Sequence, residues 1–508
     1  MRRNTEIEVK LVASAAMLDR LRGDPHLAGP EQSRLLRSTY FDTVSSRLGR
    51  GGAGLRIREL AGGEREQTLK LSPSGALQRR EWTTAIAGGE PDPARFPGPA
   101  RAALLRMMGG AALQEFAVNE IQRTSRVVRF GGSRIEVAFD VGQIRAGERQ
   151  SAVCELELEL IKGQPADLFG LAMALPLGPG LRWSVVSKAE QSHLLAFDLE
   201  PLAGHAGRPP LSLQMDAAAG FRAVAWSCLD HLLANQEVVL ATGDKEAVHQ
   251  CRVAVRRLRA AFSLFRAITA DQTRPILRAE LTAAAKSLGQ VRNIDVLLER
   301  IAEAGAGDAP PSPELVAHLT KRRTEALDRV RTMLVAEAFQ RLLLHLAAWI
   351  ERGEWALRGA GAGDHGSVGD HLAGVIAARR RKLRKTSAGL RDLSDEQLHR
   401  LRKRAKTLRY AADFAAALHC GKRADRPRQD FARALAKAQD ALGRIQDLAA
   451  ARAMDAELFQ GTEPVAAAGL AEELKRVIRG AGPGRKGQLR TAARSFEAAW
   501  RAPKWWRG

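Results

Sequence analysis

The sequence predicts a protein of two domains that differ in class. Residues 1–200 read as an antiparallel β-barrel tunnel with flanking helices (α+β), and residues 212–508 as an all-α domain of duplicated helical bundles, with a linker at 201–211. Three observations predict this. Short segments that alternate apolar and charged residues recur through the first 200 residues. Beyond residue 211, Ala, Leu and Arg dominate with a helical period, and one pattern of basic residues occurs twice. The charge divides at the same place: residues 1–200 hold 27 basic and 24 acidic residues, and residues 201–508 hold 52 and 33. Of the net +22, the second part carries +19. Such an excess points to a polyanionic partner: nucleic acid, an anionic membrane or polyphosphate.

Composition excludes several classes. With 45% hydrophobic and 27% charged residues, the chain has an ordinary globular balance and is not globally disordered. No run approaches the roughly 18 apolar residues that span a bilayer; Leu342 to Ile350 comes nearest and contains His345, so no membrane partner is expected. Met1-Arg2-Arg3-Asn4-Thr5-Glu6 leads into alternating charge and not into an apolar signal core. Cys154, Cys228, Cys251 and Cys420 are far apart and form no C-x-x-C pair, which fits a reducing compartment and a cytoplasmic location.

The elements follow in order. Strands are expected at Glu6–Leu11, Gly54–Glu59, Glu66–Leu71, Arg79–Ile86, Arg123–Phe130, Arg134–Val141 and Val153–Ile161, many of them separated by Gly, Pro or Ser turns. Helical interludes are expected at Ser14–Arg22, Ala100–Met108 and Ala166–Leu175. The segment Pro201-Leu-Ala-Gly-His-Ala-Gly-Arg-Pro-Pro210 reads as the linker. Gly305–Pro313 and Gly359–Gly369 interrupt the helical region, and Pro503-Lys-Trp-Trp-Arg507 forms a basic aromatic tail.

Each strand carries one apolar and one charged face. Glu6, Glu8 and Lys10 alternate with Ile7, Val9 and Leu11; Arg56 and Arg58 with Leu55 and Ile57; Glu136 and Asp140 with Ile135, Val137 and Phe139; Glu155, Glu157 and Glu159 with Leu156, Leu158 and Leu160. A single such strand is best read as half of a sheet with a wet outer face. Many strands of the same parity suggest a sheet closed on itself, with a polar lumen and an apolar outside under helices. Carboxylates from separate strands then suit Mg²⁺ or Mn²⁺, and Lys and Arg suit phosphate oxygens. No P-loop, Ser/His/Asp set or dinucleotide fingerprint is present, so a protein nucleophile is not indicated.

Glu6-Ile7-Glu8-Val9-Lys10 resembles the E-x-E-x-K signature of the CYTH, or triphosphate tunnel, superfamily. The resemblance continues in order through Tyr40-Phe41-Asp42-Thr43, Gly54-Leu55-Arg56-Ile57-Arg58, Thr68-Leu69-Lys70, Arg79-Arg80-Glu81, Arg123, the segment Ser133 to Asp140, Cys154 to Glu159, and Ser187-Lys188. It is most similar to the bacterial inorganic triphosphatase branch. The resemblance implies an eight-stranded antiparallel tunnel that hydrolyses a terminal phosphoanhydride with a divalent metal. It places Lys10, Arg56, Arg58, Lys70, Arg79, Arg123 and Lys188 on the triphosphate, with Arg79 preferred to Arg80 by strand parity. It places Glu6, Glu8, Glu155 and Glu157 on the metal, with Asp140 and Glu159 as helpers. Glu6, Glu8, Lys10 and Glu157 form the expected catalytic set. Water activation falls to a second metal or to one of Glu6, Glu8 and the Glu155–Glu159 set.

In the helical half, His249, Arg252, Arg256 and Arg259 fall within one stripe about 80° wide on a helix. The spacing recurs 150 residues later at His399, Arg402, Lys406 and Arg409. Leu288-Gly289-x-x-Arg292-Asn293 is likewise echoed by Leu442-Gly443-x-x-Gln446-Asp447. A lone stripe is usually a solvated face; the same stripe twice points to two bundles whose basic faces form a groove. Few aromatics interleave, which favours a ligand that is all phosphate and makes nucleic acid an unlikely partner. These motifs resemble the CHAD family, the conserved-histidine α-helical domain. That resemblance implies binding of inorganic polyphosphate and association with polyphosphate granules, through His249, Arg252, Arg256, Arg259, Arg292, His399, Arg402, Lys406 and Arg409. The expected whole is an inorganic triphosphatase fused to a polyphosphate-binding domain. The rivals are a nucleotide or thiamine triphosphatase or adenylate cyclase of the same tunnel family, and a non-catalytic polyphosphate or nucleic-acid binding protein.

Overall fold

Alternation in the first 200 residues builds a closed ring of strands. The computed structural model describes residues 5–60, 62–71, 78–304, 310–358, 366–419, 422–460, 463–480 and 484–507. The strands are β1 (Thr5–Ala13), β2 (Gln32–Thr43), β3 (Ala53–Glu59), β4 (Arg65–Leu71), β5 (Gln78–Ile86), β6 (Leu113–Phe130), β7 (Ser133–Ala146), β8 (Arg149–Lys162) and β9 (Leu181–Ser184). They run in the order β5-β4-β3-β2-β6-β7-β8-β1-β9, and β5 also pairs with β1. That pairing closes eight strands into the antiparallel tunnel and leaves β9 as a branch. Geometry at β1 makes this possible: residues 5–7 pair with β5 and residues 10–13 with β9, so two strands share one edge while β8 takes the other.

The apolar parity of each strand faces out. Val9, Leu11, Val137, Phe139, Leu156 and Leu158 are fully buried. Helix α1 (Ala15–Arg22) is N-capped by Ser14, and α4 (Pro165–Ala174) supplies Leu168, Phe169 and Leu171, all without exposure. Short α2 (Arg47–Arg50) and α3 (Gly98–Met108) cover Leu55, Leu69 and Trp82. Helix α5 (Lys188–Ala196) sits differently. Its Ala189 and Leu195 rest on Tyr40, Leu36, Ile121 and Val153, the last few apolar residues among inward-facing polar ones. Gly54 permits this seat, since a Cβ there would stand 2.7 Å from the Ala189 methyl.

Two strands were not expected from the sequence, β2 and β9, and β6 begins ten residues before Arg123. The cause is local. β2 starts in solvent, with Leu35 67% exposed beside Arg34, and ends buried on both faces at Tyr40 to Thr43. Neither end shows the half-buried alternation that marks a strand.

The helical half is α6 (Ala217–Thr242), α7 (Lys245–Leu264), α8 (Thr273–Ala304), α9 (Pro313–Val335), α10 (Glu337–Arg352), α11 (Glu354–Arg358), α12 (Val368–Ser387), α13 (Asp395–Ala415), α14 (Lys422–Leu458), α15 (Pro464–Gly480) and α16 (Arg485–Arg501). Helices α6 to α10, starting at Ala217, Lys245, Thr273, Pro313 and Glu337, are answered in order by α12 to α16, starting at Val368, Asp395, Lys422, Pro464 and Arg485. The duplication seen in two motifs thus extends over five helices. Among the described residues, no single helix is long and apolar enough to cross a membrane.

Contacts divide the chain into two compact units that do not follow the sequence division at 201–211. One unit is Met1–His205 with Leu229–Cys251 and Arg331–Gly353; the other is Ala206–Cys228, Arg252–Val330 and Glu354–Gly508. The first takes in helical segments because the outer face of the tunnel needs cover. Helix α10 packs on α4, Trp183 N donates to Gln340 Oε1 at 2.8 Å, and Arg182 pairs with Glu237 at 2.7 Å.

Candidate functional site

The charged parity of the strands encloses a cavity of about 1840 Å³. Glu6 and Glu8 reach it from β1, Arg56 and Arg58 from β3, Lys70 from β4, Arg123 from β6, Asp140 from β7, Glu157 and Glu159 from β8, and Lys188 from the first turn of α5. Lys10 and Glu155 lie behind this lining, 3% and 2% exposed. The backbone of Arg79 pairs with that of Glu6, while its side chain lies outside the described residues. On the same strand Glu81 lines the cavity and Arg80 is exposed.

The acids and bases sort into three groups. In the first, Lys188 Nζ stands 2.7 Å from Glu155 Oε2, 2.7 Å from Glu157 Oε1 and 2.8 Å from Asp140 Oδ2. Arg123 donates from Nε to Asp140 Oδ1 at 2.7 Å and also pairs with Glu157. Lys10 Nζ lies 3.5 Å from Glu155. Three carboxylates thus meet three cations. Burial alone would raise the carboxyl pKa values, but Lys188 and Arg123 hold Glu157 well below the usual range, and Lys10 and Lys188 hold Glu155 below it. Ligand oxygens of Asp140, Glu155 and Glu157 lie within 4.8 Å of one another, close enough to share one cation.

The second group is acidic in excess. Backbone register sets Glu8 beside Glu159 and Glu159 beside Glu136, a row of three carboxylates across β1, β8 and β7. Glu6 joins from β1 and shares Lys70 with Glu81, at 2.9 and 2.7 Å. Burial and the neighbouring Glu8, Glu81 and Glu159 carboxylates push Glu6 up to about 8, against the pull of Lys70. Burial, then Glu136 and Glu8, push Glu159 up to about 7. Hard oxygen donors that cannot all ionise together fit a small dication.

The third group is basic in excess. Arg58 donates to Ser38 Oγ at 3.2 Å and faces no carboxylate within ion-pair distance among the described residues. Burial, then Arg56 and Arg123, push its guanidinium down to about 9. Arg56 bonds the Tyr40 hydroxyl and lies 4.0 Å from Glu81. A buried arginine set among arginines is stabilised by an incoming anion.

In the helical half, Arg252, Arg256, Arg292, Arg402, Lys406 and Arg409 act on one another. Burial, then Arg256, Arg402, Arg252 and Arg409, push the Lys406 ammonium down to about 6. Burial, then Arg256, Arg402 and Arg292, push Arg252 down to about 10. The two stripes therefore converge from α7 and α13. Small residues on the next helices make room: Arg252 donates to Gly289 O at 3.3 Å, and a Cβ at Gly443 would stand 2.7 Å from Arg402 Nη2. The Leu-Gly echo in the sequence is this seat, while Gln446 and Asp447 beyond it have side chains outside the described residues. Arg259 is acted on by Arg278, His399 is exposed on α13, and His249 stands one turn before Arg252 on α7. Arg292 is held by Glu299 at 3.0 Å.

Sequence parity set Glu136 on the lining face without giving it a role, and missed Glu81 and Ser38 as lining residues. Parity could have found Glu81, which alternates with Arg80. The segment Tyr40 to Thr43 proves structural at Asp42, which accepts from the Leu48 and Gly49 N–H groups at 2.9 and 2.8 Å and holds α2.

The comparisons agree with this division. Residues 4–192 match the family model of the CYTH domain, and residues 223–454 that of the CHAD domain. An inorganic triphosphatase of Haemophilus influenzae is 33% identical over 170 residues, which cover 32% of this chain and 47% of that protein. The chain therefore spans about half the length of that curated relative. An uncharacterized protein of Mycobacterium tuberculosis is 27% identical over 456 residues, covering 81% of this chain and 82% of that one. Among solved structures, the CHAD domain from the plant Ricinus communis is 29% identical with a TM-score of 0.51, covering 59% of this chain and 98% of that one.

Proposed function

This chain joins a CYTH domain to a CHAD domain, and on that premise we propose that the tunnel is a metal-dependent inorganic triphosphatase and the helical groove a binding site for inorganic polyphosphate. The observation that carries the proposal is the sorting of charge inside one cavity. The cavity holds an acid-rich wall (Glu6, Glu8, Glu159), a base-rich set (Arg56, Arg58) whose nearest carboxylate is Glu81 beside Arg56, and a balanced set (Lys188, Arg123, Asp140, Glu157). Triphosphate matches this pattern, since it offers many anionic oxygens and no base or sugar.

Arg58 and Arg56 bind the phosphate chain in forked geometry, and Lys70 adds a point charge. Lys188 and Arg123 lie within reach of both carboxylate and phosphate partners, so substrate competes with Glu157 and Asp140 for them. Glu6, Glu8, Glu155 and Glu157 would hold the divalent metal with Asp140 and Glu159 as helpers, and ligand oxygens of Asp140, Glu155 and Glu157 lie within 4.8 Å of one another. When bound, such an ion neutralises phosphate oxygens and lowers the pKa of water. The fixed cations stabilise charge that develops on the leaving pyrophosphate at no cost of reorganisation. Inorganic triphosphate is favoured over nucleotides because, of the rings at the tunnel motifs, Phe41 is 3% exposed in the outer core and Tyr40 and Trp82, which border the cavity, are 4% and 8% exposed. The identity of the H. influenzae relative supports the same reading.

The test is phosphate release from inorganic triphosphate, ATP, thiamine triphosphate and long polyphosphate, each with Mg²⁺, with Mn²⁺ and with chelator. Inorganic triphosphate should be preferred and chelator should stop turnover. Preference for a nucleotide, or turnover in chelator, would refute the proposal. For the groove, the full chain with Arg252, Arg256, Arg402 and Lys406 replaced by Ala should lose its preference for polyphosphate over single-stranded DNA of matched charge.

A further inference from the structure

The basic aromatic tail is explained neither by the tunnel nor by the groove. Its tryptophans are anchors. Trp506 is 2% exposed, packs against Phe431 at 5.6 Å and meets Trp505 edge to face at 5.5 Å. The Arg380 guanidinium lies 5.6 Å from the Trp500 ring and 5.8 Å from that of Trp506. The tail is thereby pinned against α12, and Lys504 is brought to the side of that helix.

Between them lies a cavity of about 650 Å³, lined by Arg380, Arg381, Arg384, Lys385, Lys504 and Trp506. Helical spacing makes it. Arg380, Arg381 and Arg384 share one face of α12, flanked one turn before and after by Ala377 and Ala388, while Leu372, Ile376 and Leu383 turn into the core. The alanines leave the space and the arginines surround it. Among the described residues, none of these five cations has a carboxylate within ion-pair distance. Arg380 Nε and Trp506 Nε1 are buried donors without an acceptor. An ordinary solvated basic face would mix acids among its bases, as α13 does with Glu396 and Arg400. This one holds five like charges around a hollow.

We propose that this pocket is a second phosphate-binding site, distinct from the groove, which takes a short stretch or an end of an inorganic phosphate chain. Three features select the ligand. Guanidinium forks match phosphate oxygens, the pocket contains no acid to receive a cationic or hydroxyl-rich ligand, and Trp506 is too buried to stack a base. The pocket lies on α12 and the tail, whereas the basic stripes lie on α7 and α13. A chain held at the pocket and in the groove would gain by multivalency.

The experiment uses the full chain in chelator, titrated by calorimetry with inorganic polyphosphate and with inorganic triphosphate at near-physiological salt. The variants are Arg381→Ala/Arg384→Ala/Lys504→Ala at the pocket and the fourfold Ala variant at the groove. All three pocket residues are exposed, so the fold should survive. Besides the tunnel, wild type should show two classes of site. The pocket variant should lose one class or bind it about tenfold more weakly, with unchanged triphosphate turnover in Mg²⁺. The groove variant should keep the pocket class. If the groove reading fails, the groove variant will match wild type while the pocket variant still loses its class. Wild-type stoichiometry and affinity in the pocket variant would overturn the proposal, as would equal competition by single-stranded DNA at the pocket class.

Discussion

Replacing Lys188 with Ala tests the charge balance of the tunnel most directly. Its ammonium is 12% exposed and touches Asp140, Glu155 and Glu157 at 2.7 to 2.8 Å. Removal leaves three buried carboxylates to Arg123 and Lys10. Stranding a buried charge in this way costs about 3–5 kcal/mol. At the lower limit the opening equilibrium of β7 and β8 rises about a hundredfold. Hydrogen exchange on peptides from these strands reads that factor locally, without assuming that the whole chain unfolds in one step. The sign with pH is fixed. Lys188 lowers the folded pKa of Glu157 and Glu155, so its contribution is complete above their unfolded value of about 4.3. It is lost as pH falls through the lowered folded values. The gap between variant and wild type should therefore be full at pH 7 and shrink in acid. Mg²⁺ should slow exchange in the variant more than in wild type, because a dication can replace the missing ammonium among three oxygens within 4.8 Å. Equal exchange in the two proteins at pH 7 would refute the reasoning.

Other perturbations probe the remaining groups. Glu8→Gln should preserve the fold and cut metal-dependent turnover by about a hundredfold or more, since an amide removes a negative ligand at nearly constant shape; steady-state rates at saturating metal that match wild type would exclude Glu8 from the metal set. Arg58→Ala should raise KM for triphosphate at least about tenfold, at a cost of about 1.4 kcal/mol or more, while Arg80→Ala on the outer face should not; like kinetics for both would show the lining to be misread. Gly443→Leu should displace Arg402, whose Nη2 lies 2.7 Å from the position of an added Cβ, and weaken polyphosphate binding by the full chain while leaving tunnel turnover intact.

Much of the tunnel was legible because a strand places its charges by parity alone. Glu6, Glu8, Arg56, Arg58, Lys70 and the Glu155–Glu159 series needed only the period of two to be set on one face. Closure was not legible in that way, since it depends on β5 and β9 sharing an edge of β1, and β9 is four residues long. Nor was the sorting into balanced, acidic and basic groups. Sequence ranks Glu6 with Glu155 as equal metal ligands, but side-chain contacts set Glu155 behind the lining against Lys10 and Lys188, and Glu6 on the Lys70 ammonium that it shares with Glu81. Lys188 shows the same limit from the other side. It reads as a substrate ligand, and in the fold its ammonium joins three acids. The stripes of α7 and α13 were visible as periodicity, whereas the reason for the glycines that accompany them appears only when arginine lies across Gly289 and Gly443.

The two halves hold cations in opposite ways, and the difference bears on what each can do. In the tunnel, Lys70, Lys188 and Arg123 are paired with carboxylates, so an entering phosphate chain must displace those partners, and the freed acids then favour a metal or a proton. On the proposed function, binding would thereby change the charge state of Glu6 and Glu157, as a reaction that moves charge from a phosphoanhydride to its leaving group requires. In the helical half, Arg252, Arg256, Arg402 and Arg409 press on Lys406 and push its ammonium down to about 6, while Arg409 also acts on the buried Asp413. An anion bound there, on the same proposal, would relieve this repulsion and restore the proton on Lys406. One ligand chemistry would then, on the proposed function, be hydrolysed in the first half and only held in the second.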